Sequence, residues 1–305
     1  MMKSKKCKEK EFTMGNNTDF GNVWANAQYT PRDGAADFDN LMTPSAHRIL
    51  KIVHETQAEF TFRVDFKYPS RHGQFCMLSI PKVGEAPISI SGRGDNWAEF
   101  TIRKVGRLTE GVFDLREGNL IYLRGPFGNP WPVEERFSGP DHALVIVSGG
   151  TGLAPVRTMI NYYREHPEKI RDLYLISGFK DVKGALFNEE REQWAQVPNF
   201  HTIYTLDDST APGFETGMVT AHLDRIPFDS FGENYNVAIV GPPPMMHFTA
   251  LGCMKLGVPE DKIWVSFERK MQCAVGKCGH CKINETYVCL EGPVFHYPKA
   301  RNLFD

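Results

Sequence analysis

Residues 143–155 read ALVIVSGGTGLAP, an apolar strand-like run that ends in a glycine-rich turn and continues into a helical pattern. Glycines let the backbone of such a turn approach a pyrophosphate, and the free amides and positive dipole end of the following helix favour a negative charge. The turn therefore predicts a dinucleotide site, with a merely tight strand-to-helix connection as the alternative. The candidate binding residues are Gly149, Gly150, Thr151, Gly152 and Pro155.

The pattern of apolar runs continues on the C-terminal side of this turn. Four further strand-like runs are LYLISG (173–178), HTIYTL (201–206), VAIVG (237–241) and KIWVSF (262–267). Helical stretches are predicted between them at residues 155–166, 187–195, 215–226 and 244–256. Strands that are apolar on both faces and alternate with helices indicate a doubly wound parallel sheet, which is a nucleotide-type α/β domain.

A second candidate ligand loop, GPPPMM, occupies residues 241–246. It follows a predicted strand directly, and open α/β sheets bind their ligands at the carboxyl ends of their strands. We therefore expect Gly241, Pro242 and Met245 to contribute to the same cofactor site as the glycine turn.

The region on the N-terminal side of residue 125 has a different pattern. Six short alternating segments are separated by turn signals such as SRHG, RGDN and REGN, and this pattern predicts an antiparallel β-barrel. The segments are HRILKIVHE (47–55), FTFRVDF (60–66), QFCMLSI (74–80), APISIS (86–91), WAEFTIRKV (97–105) and NLIYLRG (119–125). A stretch rich in Gly and Pro between residues 126 and 140 marks a linker to the α/β domain.

Four of the seven cysteines lie in the segment CAVGKCGHCKINETYVC. The spacing is C-x4-C-x2-C-x7-C, and the first three positions follow the spacing of plant-type iron–sulfur proteins. We predict a [2Fe–2S] cluster, with a zinc site that recruits His280 or a set of unliganded thiols as the alternatives. The candidate ligands are Cys273, Cys278, Cys281 and Cys289.

Composition and charge exclude several functional classes. The chain has 305 residues, 41% of them hydrophobic, and a formal net charge of −2. Without a basic excess, nucleic acid is not an expected partner. No apolar run is long enough for a membrane helix, and the first 40 residues lack the apolar core of a secretory signal. We therefore expect a cytoplasmic protein that is not an integral membrane protein, in agreement with clustered rather than paired cysteines.

These patterns divide the chain into four predicted parts. They are a polar N-terminal extension (1–43), an antiparallel β-barrel domain (44–140), an α/β doubly wound domain (141–265) and a small C-terminal cluster-binding segment (266–305). The last part is too short to fold by hydrophobic burial alone, so we expect a metal centre to stabilise it.

The motifs GGTGLAP and GPPPMM and the terminal cysteine loop, which follow a six-stranded barrel, resemble the ferredoxin–NADP reductase superfamily. Within it they resemble the iron–sulfur branch, which includes electron-transfer subunits of dihydroorotate dehydrogenase, gamma subunits of sulfhydrogenases and B subunits of anaerobic sulfite reductases. The stretches VGEAPISIS, LRGPFGN, VSFERKMQCAVGKCGHC and YVCLEGPVF are most similar to the last of these families. The resemblance covers residues 44–305.

The resemblance implies a flavin bound to the barrel, with FAD preferred to FMN. Pro87 and Ile88 would flank the isoalloxazine ring, and Ser89 would form a hydrogen bond near its reactive nitrogen. The segment departs from the superfamily pattern because it lacks the usual arginine and stacking tyrosine. The stretch from residue 103 to 109 resembles a second flavin-phosphate loop, although a solvated strand end is the alternative for its basic residues. The candidate residues of this loop are Arg103, Val105, Gly106 and Thr109.

The resemblance also implies that NADH reduces the flavin, which then passes single electrons to the cluster and on to partner subunits. No side chain is expected to act as a catalytic acid or base, although Phe267 and Glu268 would reach the flavin region. The segment with Lys180, Asp181 and Lys183 gives a mixed signal on the 2′-phosphate, and NADH is preferred to NADPH.

The implied partners are a ferredoxin-like electron-transfer subunit and a sirohaem-bearing sulfite reductase subunit, so that sulfite would be reduced to sulfide elsewhere in the complex. Three alternatives remain. The same module could serve a hydrogenase or a dihydroorotate dehydrogenase, it could be a self-contained flavin reductase, or it could be a zinc-stapled nucleotide-binding regulatory module without redox activity.

Overall fold

The computed structural model describes residues 42–304, and the predicted polar extension lies, up to residue 41, outside the described residues. Six antiparallel strands form a closed barrel in the order β1-β2-β5-β4-β3-β6, so the prediction of a six-stranded barrel is confirmed. These strands are β1 (Ser45–His54), β2 (Glu59–Asp65), β3 (Phe75–Ile80), β4 (Gly84–Gly94), β5 (Trp97–Arg103) and β6 (Leu120–Phe127).

Strand β3 has two apolar faces, and this explains how the barrel joins the rest of the molecule. Alternate residues of a strand point to opposite sides. Cys76 and Leu78 belong to the core inside the barrel, whereas Phe75 and Met77 belong to the core shared with the α/β sheet and the cysteine segment. The barrel is therefore buried on one outer face, where the other parts of the chain cover it.

The second sheet has seven strands in the order β10-β9-β8-β7-β11-β12-β15. Its strands are parallel from β10 to β12, as predicted, and β15 is antiparallel to β12. Their bounds are β7 (Gly139–Gly149), β8 (Ile170–Phe179), β9 (Phe200–Leu206), β10 (Glu215–Thr216), β11 (Tyr235–Val240), β12 (Ile263–Ser266) and β15 (Val294–His296), with a separate hairpin of β13 (Lys282–Ile283) and β14 (Thr286–Tyr287).

Six α-helices accompany these strands in the described residues 42–304. They are α1 (Arg107–Phe113), α2 (Ala154–Glu165), α3 (Asn188–Trp194), α4 (Pro243–Lys255), α5 (Val288–Glu291) and α6 (Tyr297–Ala300). The predicted helices 155–166, 187–195 and 244–256 are confirmed by α2, α3 and α4. The short α1 was not predicted, because residues 103–109 were interpreted as the end of a strand followed by a loop. Within this part of the chain, no helix is long and apolar enough to cross a membrane.

The helix predicted for residues 215–226 is wrong. Residues 215 and 216 form strand β10 at the edge of the sheet, and residues 219–225 form a 3-10 segment. Gly217 separates the two with a φ of +110°, and its N–H donates to the Leu206 carbonyl at 2.8 Å. A residue in this left-handed region interrupts a helix, so the segment is drawn into the sheet edge instead.

The C-terminal segment is integrated into the α/β sheet. Strand β15 pairs with β12, and the buried Cys281 and Cys289 share one hydrophobic core with Phe75 of the barrel and Val265 of β12. The barrel, the sheet and the cysteine segment therefore meet around a common core, and this junction positions the candidate site.

Candidate functional site

Two of the cavities at the junction between the barrel and the α/β sheet contain predicted cofactor residues. The first, here called the barrel cavity, has a volume of about 500 Å³ and lies between β4, β5, the start of α2 and residues 266–271. Its lining includes eight of the predicted cofactor residues, namely Pro87, Ile88, Ser89, Arg103, Val105, Thr109, Thr151 and Pro155. Gly106 lies beside this group but lines neither cavity.

The second cavity, here called the turn cavity, has a volume of about 870 Å³ and lies over the carboxyl ends of β7 and β11. The glycine turn and the proline-rich loop meet there, as their sequences predict. Its lining includes Gly149, Gly150, Thr151, Gly152, Gly241, Pro242, Met245 and Arg103.

The glycines of the turn cavity are needed for close packing. A Cβ on Gly152 would lie 2.5 Å from the Val240 carbonyl oxygen, and one on Gly149 or Gly241 would lie 2.6 Å from the Met245 sulfur. Gly150 has a φ of +54° and faces open space. The turn is therefore a backbone cradle with room for a ligand against its main chain, and this geometry fits a pyrophosphate group.

Arg103, Thr151 and Glu268 line both cavities. A group bound in one cavity would therefore lie next to a group bound in the other. Arg103 forms an ion pair with Glu59 at 3.2 Å. Glu268 is exposed, and desolvation by the surrounding protein atoms raises its pKa.

Thr109 shapes the turn before α1. Its hydroxyl accepts hydrogen bonds from the N–H groups of Val105 and Gly106 at 2.9 and 3.0 Å. These two amides are therefore engaged within the turn, so Thr109 orders the loop at the edge of the barrel cavity. Its role toward a flavin phosphate stays a prediction.

The cysteine loop provides amide donors for its sulfurs. The N–H groups of Val275, Lys277 and Cys278 lie 3.3–3.5 Å from the Cys273 sulfur, and that of Gly276 lies 3.3 Å from the Cys289 sulfur. Gly276 and Gly279 have φ values of +71° and +78°, which turn the backbone around the sulfurs. Amide donors stabilise charged sulfur, so the loop fits a thiolate-bound iron–sulfur cluster.

Exposure differs among the four cysteines, because Cys278 is exposed and the other three are buried. Backbone hydrogen bonding, chiefly at His280, lowers the pKa of Cys278 to about 7. His280 itself is exposed. In residues 42–304, no three His, Cys, Asp or Glu side chains form a group that could hold a single metal ion.

Cys76 and Cys253 are buried outside the cysteine loop, in agreement with their apolar sequence context. Burial raises the pKa of the Cys253 thiol to about 12. They therefore remain protonated thiols that fill space in the core.

Sequence reasoning missed two buried arginines at this junction. Arg124 on β6 forms a fork with Glu85 and donates to backbone carbonyls of the cysteine loop. Arg157 on α2 binds Glu99 of β5 at 2.6 Å and Glu190 of α3 at 2.5 Å. The only sequence signal was a charged residue within an apolar pattern, and such a signal does not identify the partner.

Two families of domains match parts of this chain. Residues 146–250 match the oxidoreductase NAD-binding domain, and residues 268–299 match the iron–sulfur cluster binding domain of dihydroorotate dehydrogenase B. The first range contains the glycine turn and the proline-rich loop, and the second contains all four clustered cysteines.

Whole-chain relatives agree with these matches. The gamma subunit of sulfhydrogenase 1 from Pyrococcus furiosus is 33% identical, over 88% of this chain and 95% of the relative. A probable dihydroorotate dehydrogenase B electron-transfer subunit from Methanocaldococcus jannaschii is 30% identical, over 85% and 91%. The solved NADH-dependent reduced ferredoxin–NADP oxidoreductase shares the fold, with a TM-score of 0.67, 23% identity and coverage of 85% and 92%.

Proposed function

This chain belongs to the iron–sulfur family of ferredoxin-reductase-like electron-transfer subunits that includes sulfhydrogenase gamma and dihydroorotate dehydrogenase B subunits, and we propose that it oxidises NADH on behalf of a sulfite-reducing complex. The predicted cofactors, FAD, an iron–sulfur cluster and NADH, are confirmed by this family. That the cluster contains two irons, and that the protein works in the cytoplasm, are parts of the proposal.

The observation that carries the proposal is the contact between the two cavities at Arg103, Thr151 and Glu268. When bound, the cofactors would accept a hydride, which is two electrons and one proton, from NADH and release the electrons one at a time. The protein's own residues would hold the pyrophosphate of NADH at the glycine turn and the flavin along residues 87–89. Residues 266–271 line the barrel cavity and lead directly into Cys273, so the chain connects both ligands to the cysteine loop.

The surface around Cys278 is the proposed exit for electrons. Cys278 is the exposed member of the cysteine set, Lys277 and His280 beside it are exposed, and Leu290 is 53% exposed. An apolar residue next to basic side chains suits an acidic protein partner, since complementary charge speeds encounter. We propose that a ferredoxin-like subunit docks there and passes electrons to a sirohaem-bearing subunit.

Sulfite reduction is supported by the stretches from residue 83 to 91 and from 265 to 281, which resemble the B subunits of anaerobic sulfite reductases. The second candidate is a hydrogenase or dihydroorotate dehydrogenase, and it is favoured by the whole-chain relatives. In either case the terminal substrate would bind to another subunit.

An anaerobic spectrum of the purified chain tests the electron-transfer function. We expect about one flavin and two irons per chain, bleaching by NADH and an EPR signal from the reduced cluster. A colourless zinc protein that ignores NADH would support the regulatory alternative instead. NADPH that bleaches the flavin faster than NADH would contradict the nicotinamide preference.

Isolation of the native complex tests the partner. We expect NADH-dependent conversion of sulfite to sulfide by the assembled subunits, with little turnover by this chain alone. NADH-dependent hydrogen production or orotate chemistry by the copurified complex would replace sulfite reduction with the second candidate.

A further inference from the structure

Arg124 lies on the outer face of the barrel, where the cysteine segment covers it. Its side chain is 4% exposed. Met77 of β3 pairs with Arg124 of β6 on one side and with Pro87 of β4 on the other, so these residues share one face. Glu85 is two residues from Pro87 on the same strand and therefore lies on this face as well.

The guanidinium of Arg124 is held by Glu85 in a two-point fork. Nε donates to Oε1 at 2.7 Å, and Nη2 donates to Oε2 at 2.6 Å. Glu85 immediately precedes Ala86, the first residue of β4 that lines the barrel cavity. The fork thus reaches across β3 and ties Arg124 to the strand along which the flavin is proposed to bind.

The remaining donors of Arg124 point to the cysteine loop. Nη1 donates to the Cys273 carbonyl at 2.6 Å, and Nη2 also donates to the Gln272 carbonyl. The sulfur of Cys273 in turn receives three backbone N–H groups. One side chain therefore bonds both the flavin strand and the backbone of the first cysteine.

Only arginine has the planar array of donors that this arrangement uses, because a lysine ammonium cannot form the two-point fork and reach two carbonyls in fixed directions. A buried ion pair is also a poor source of net stability, since removing both charges from water costs about as much as their attraction returns. The presence of this pair is therefore better explained by the fixed positions that it gives to β4 and the cysteine loop than by a gain in stability.

We propose that Arg124 and Glu85 form a clamp that fixes the cysteine loop against β4, so that Arg124 is a positioning residue for electron transfer from flavin to cluster. This inference rests on the proposed function, because it assumes a flavin beside residues 87–89. The clamp acts on the second half of the reaction, and hydride transfer from NADH takes place in cavities that Arg124 does not line.

Rapid mixing of the anaerobic holoprotein with NADH tests the clamp. Flavin bleaching and the cluster EPR signal are followed separately in the wild type, Arg124→Gln, Arg124→Lys and Glu85→Gln. We expect flavin bleaching to keep its rate, and cluster reduction to slow by about tenfold in Arg124→Gln and by less in Arg124→Lys. The matched control is Arg301→Gln, which removes an exposed arginine whose Nη1 bonds both oxygens of Glu260 at 2.8 Å.

Iron release to a chelator is the second readout and needs no NADH. We expect the Arg124→Gln and Glu85→Gln proteins to lose iron about tenfold faster than the wild type and the control. Unchanged cluster reduction and unchanged iron release in a folded Arg124→Gln protein, even with a lower melting temperature, would overturn the clamp. A wild type that NADH does not bleach would refute the proposed function, while iron release still decides whether Arg124 holds the loop.

Discussion

At the scale of single residues, the glycine turn depends on the absence of side chains. A methyl group on Gly152 would meet the Val240 carbonyl oxygen at 2.5 Å, and backbone cannot give way as the end of a flexible side chain can. The strand and helix on either side of the turn would have to move apart.

We therefore expect Gly152→Ala to cost about 1–3 kcal/mol of unfolding free energy and to raise the KM for NADH. Denaturant unfolding and steady-state kinetics with a small one-electron acceptor measure the two effects. Gly184→Ala is the control, because its Cβ would meet no atom closer than 3.8 Å. Equal KM values for both variants would contradict a ligand role for the turn.

His72 makes stability sensitive to acid. Burial, together with the charges of Arg93 and Arg71, lowers the pKa of His72 to about 3. As the pH falls, His72 therefore binds a proton near pH 6.5 in the unfolded chain but only near pH 3 in the folded protein.

The stability that His72 contributes is complete above pH 6.5 and is lost as the pH falls toward 3, at up to about 1.4 kcal/mol per pH unit. We expect His72→Gln, whose amide can still accept from Arg93, to flatten the pH dependence of the unfolding free energy across this window. Urea unfolding at several pH values measures it. An unchanged slope would contradict a lowered pKa of His72 in the folded protein.

At the scale of elements, helix α2 is fixed to the barrel by a chain of charges. Arg157 of α2 donates to Glu99 at 2.6 Å, Arg63 holds the other oxygen of Glu99 at 2.7 Å, and Arg157 also bonds the Ser91 carbonyl at 3.2 Å. The helix that starts at the glycine turn is thereby joined to β4 and β5, which carry residues of the barrel cavity.

Replacing Arg157 by Met should lower the free energy of unfolding by about 3 kcal/mol, because the carboxylates of Glu99 and Glu190 would lose an ion-pair partner away from bulk water. Burial alone would raise the pKa of Glu99, yet Arg157 and Arg63 hold it below its usual value. The stability from this depressed pKa is present above about pH 4.3 and is lost as the pH falls through the folded pKa.

The Arg157→Met protein should therefore lose less stability than the wild type between about pH 5 and pH 3. Its flavin bleaching by NADH should slow, because α2, which starts at the proposed dinucleotide site, is no longer held to β4, along which the flavin is proposed to bind. Arg225→Met removes an exposed pair with Glu215 at 2.9 Å and serves as the control. Wild-type bleaching by Arg157→Met would show that the helix is positioned without this charge.

At the scale of the whole molecule, the sequence predicted what depends on near neighbours. Alternation identified the six barrel strands, apolar runs identified the parallel sheet, and the glycine and cysteine motifs identified the loops. Pairings between distant residues could not be predicted from the sequence. Arg124 binds Glu85, which is 39 positions away, and Arg157 binds Glu99, which is 58 positions away. The helix predicted at 215–226 failed for a local reason, because Gly217 interrupts it and residues 215 and 216 pair with β9.

The separation between cavities and cysteines implies that the two halves of the reaction can be uncoupled. None of the four clustered cysteines lines the barrel or turn cavity, although residues 266–271 connect the barrel cavity to Cys273. Cys289 is buried beside the loop and accepts the Gly276 amide, so its loss should prevent cluster assembly without reshaping either cavity.

We expect Cys289→Ser to lose most of its iron and the cluster EPR signal, yet to keep its flavin and to be bleached by NADH near the wild-type rate. Electron delivery to a protein acceptor should fall to the background, whereas reduction of a small two-electron acceptor should persist. Cys253→Ala, which alters a buried thiol in α4 outside the loop, is the matched control and should retain iron. Full delivery to the protein acceptor by an iron-free Cys289→Ser would mean that electrons leave directly from the flavin, and the cysteine loop would then have a structural role alone.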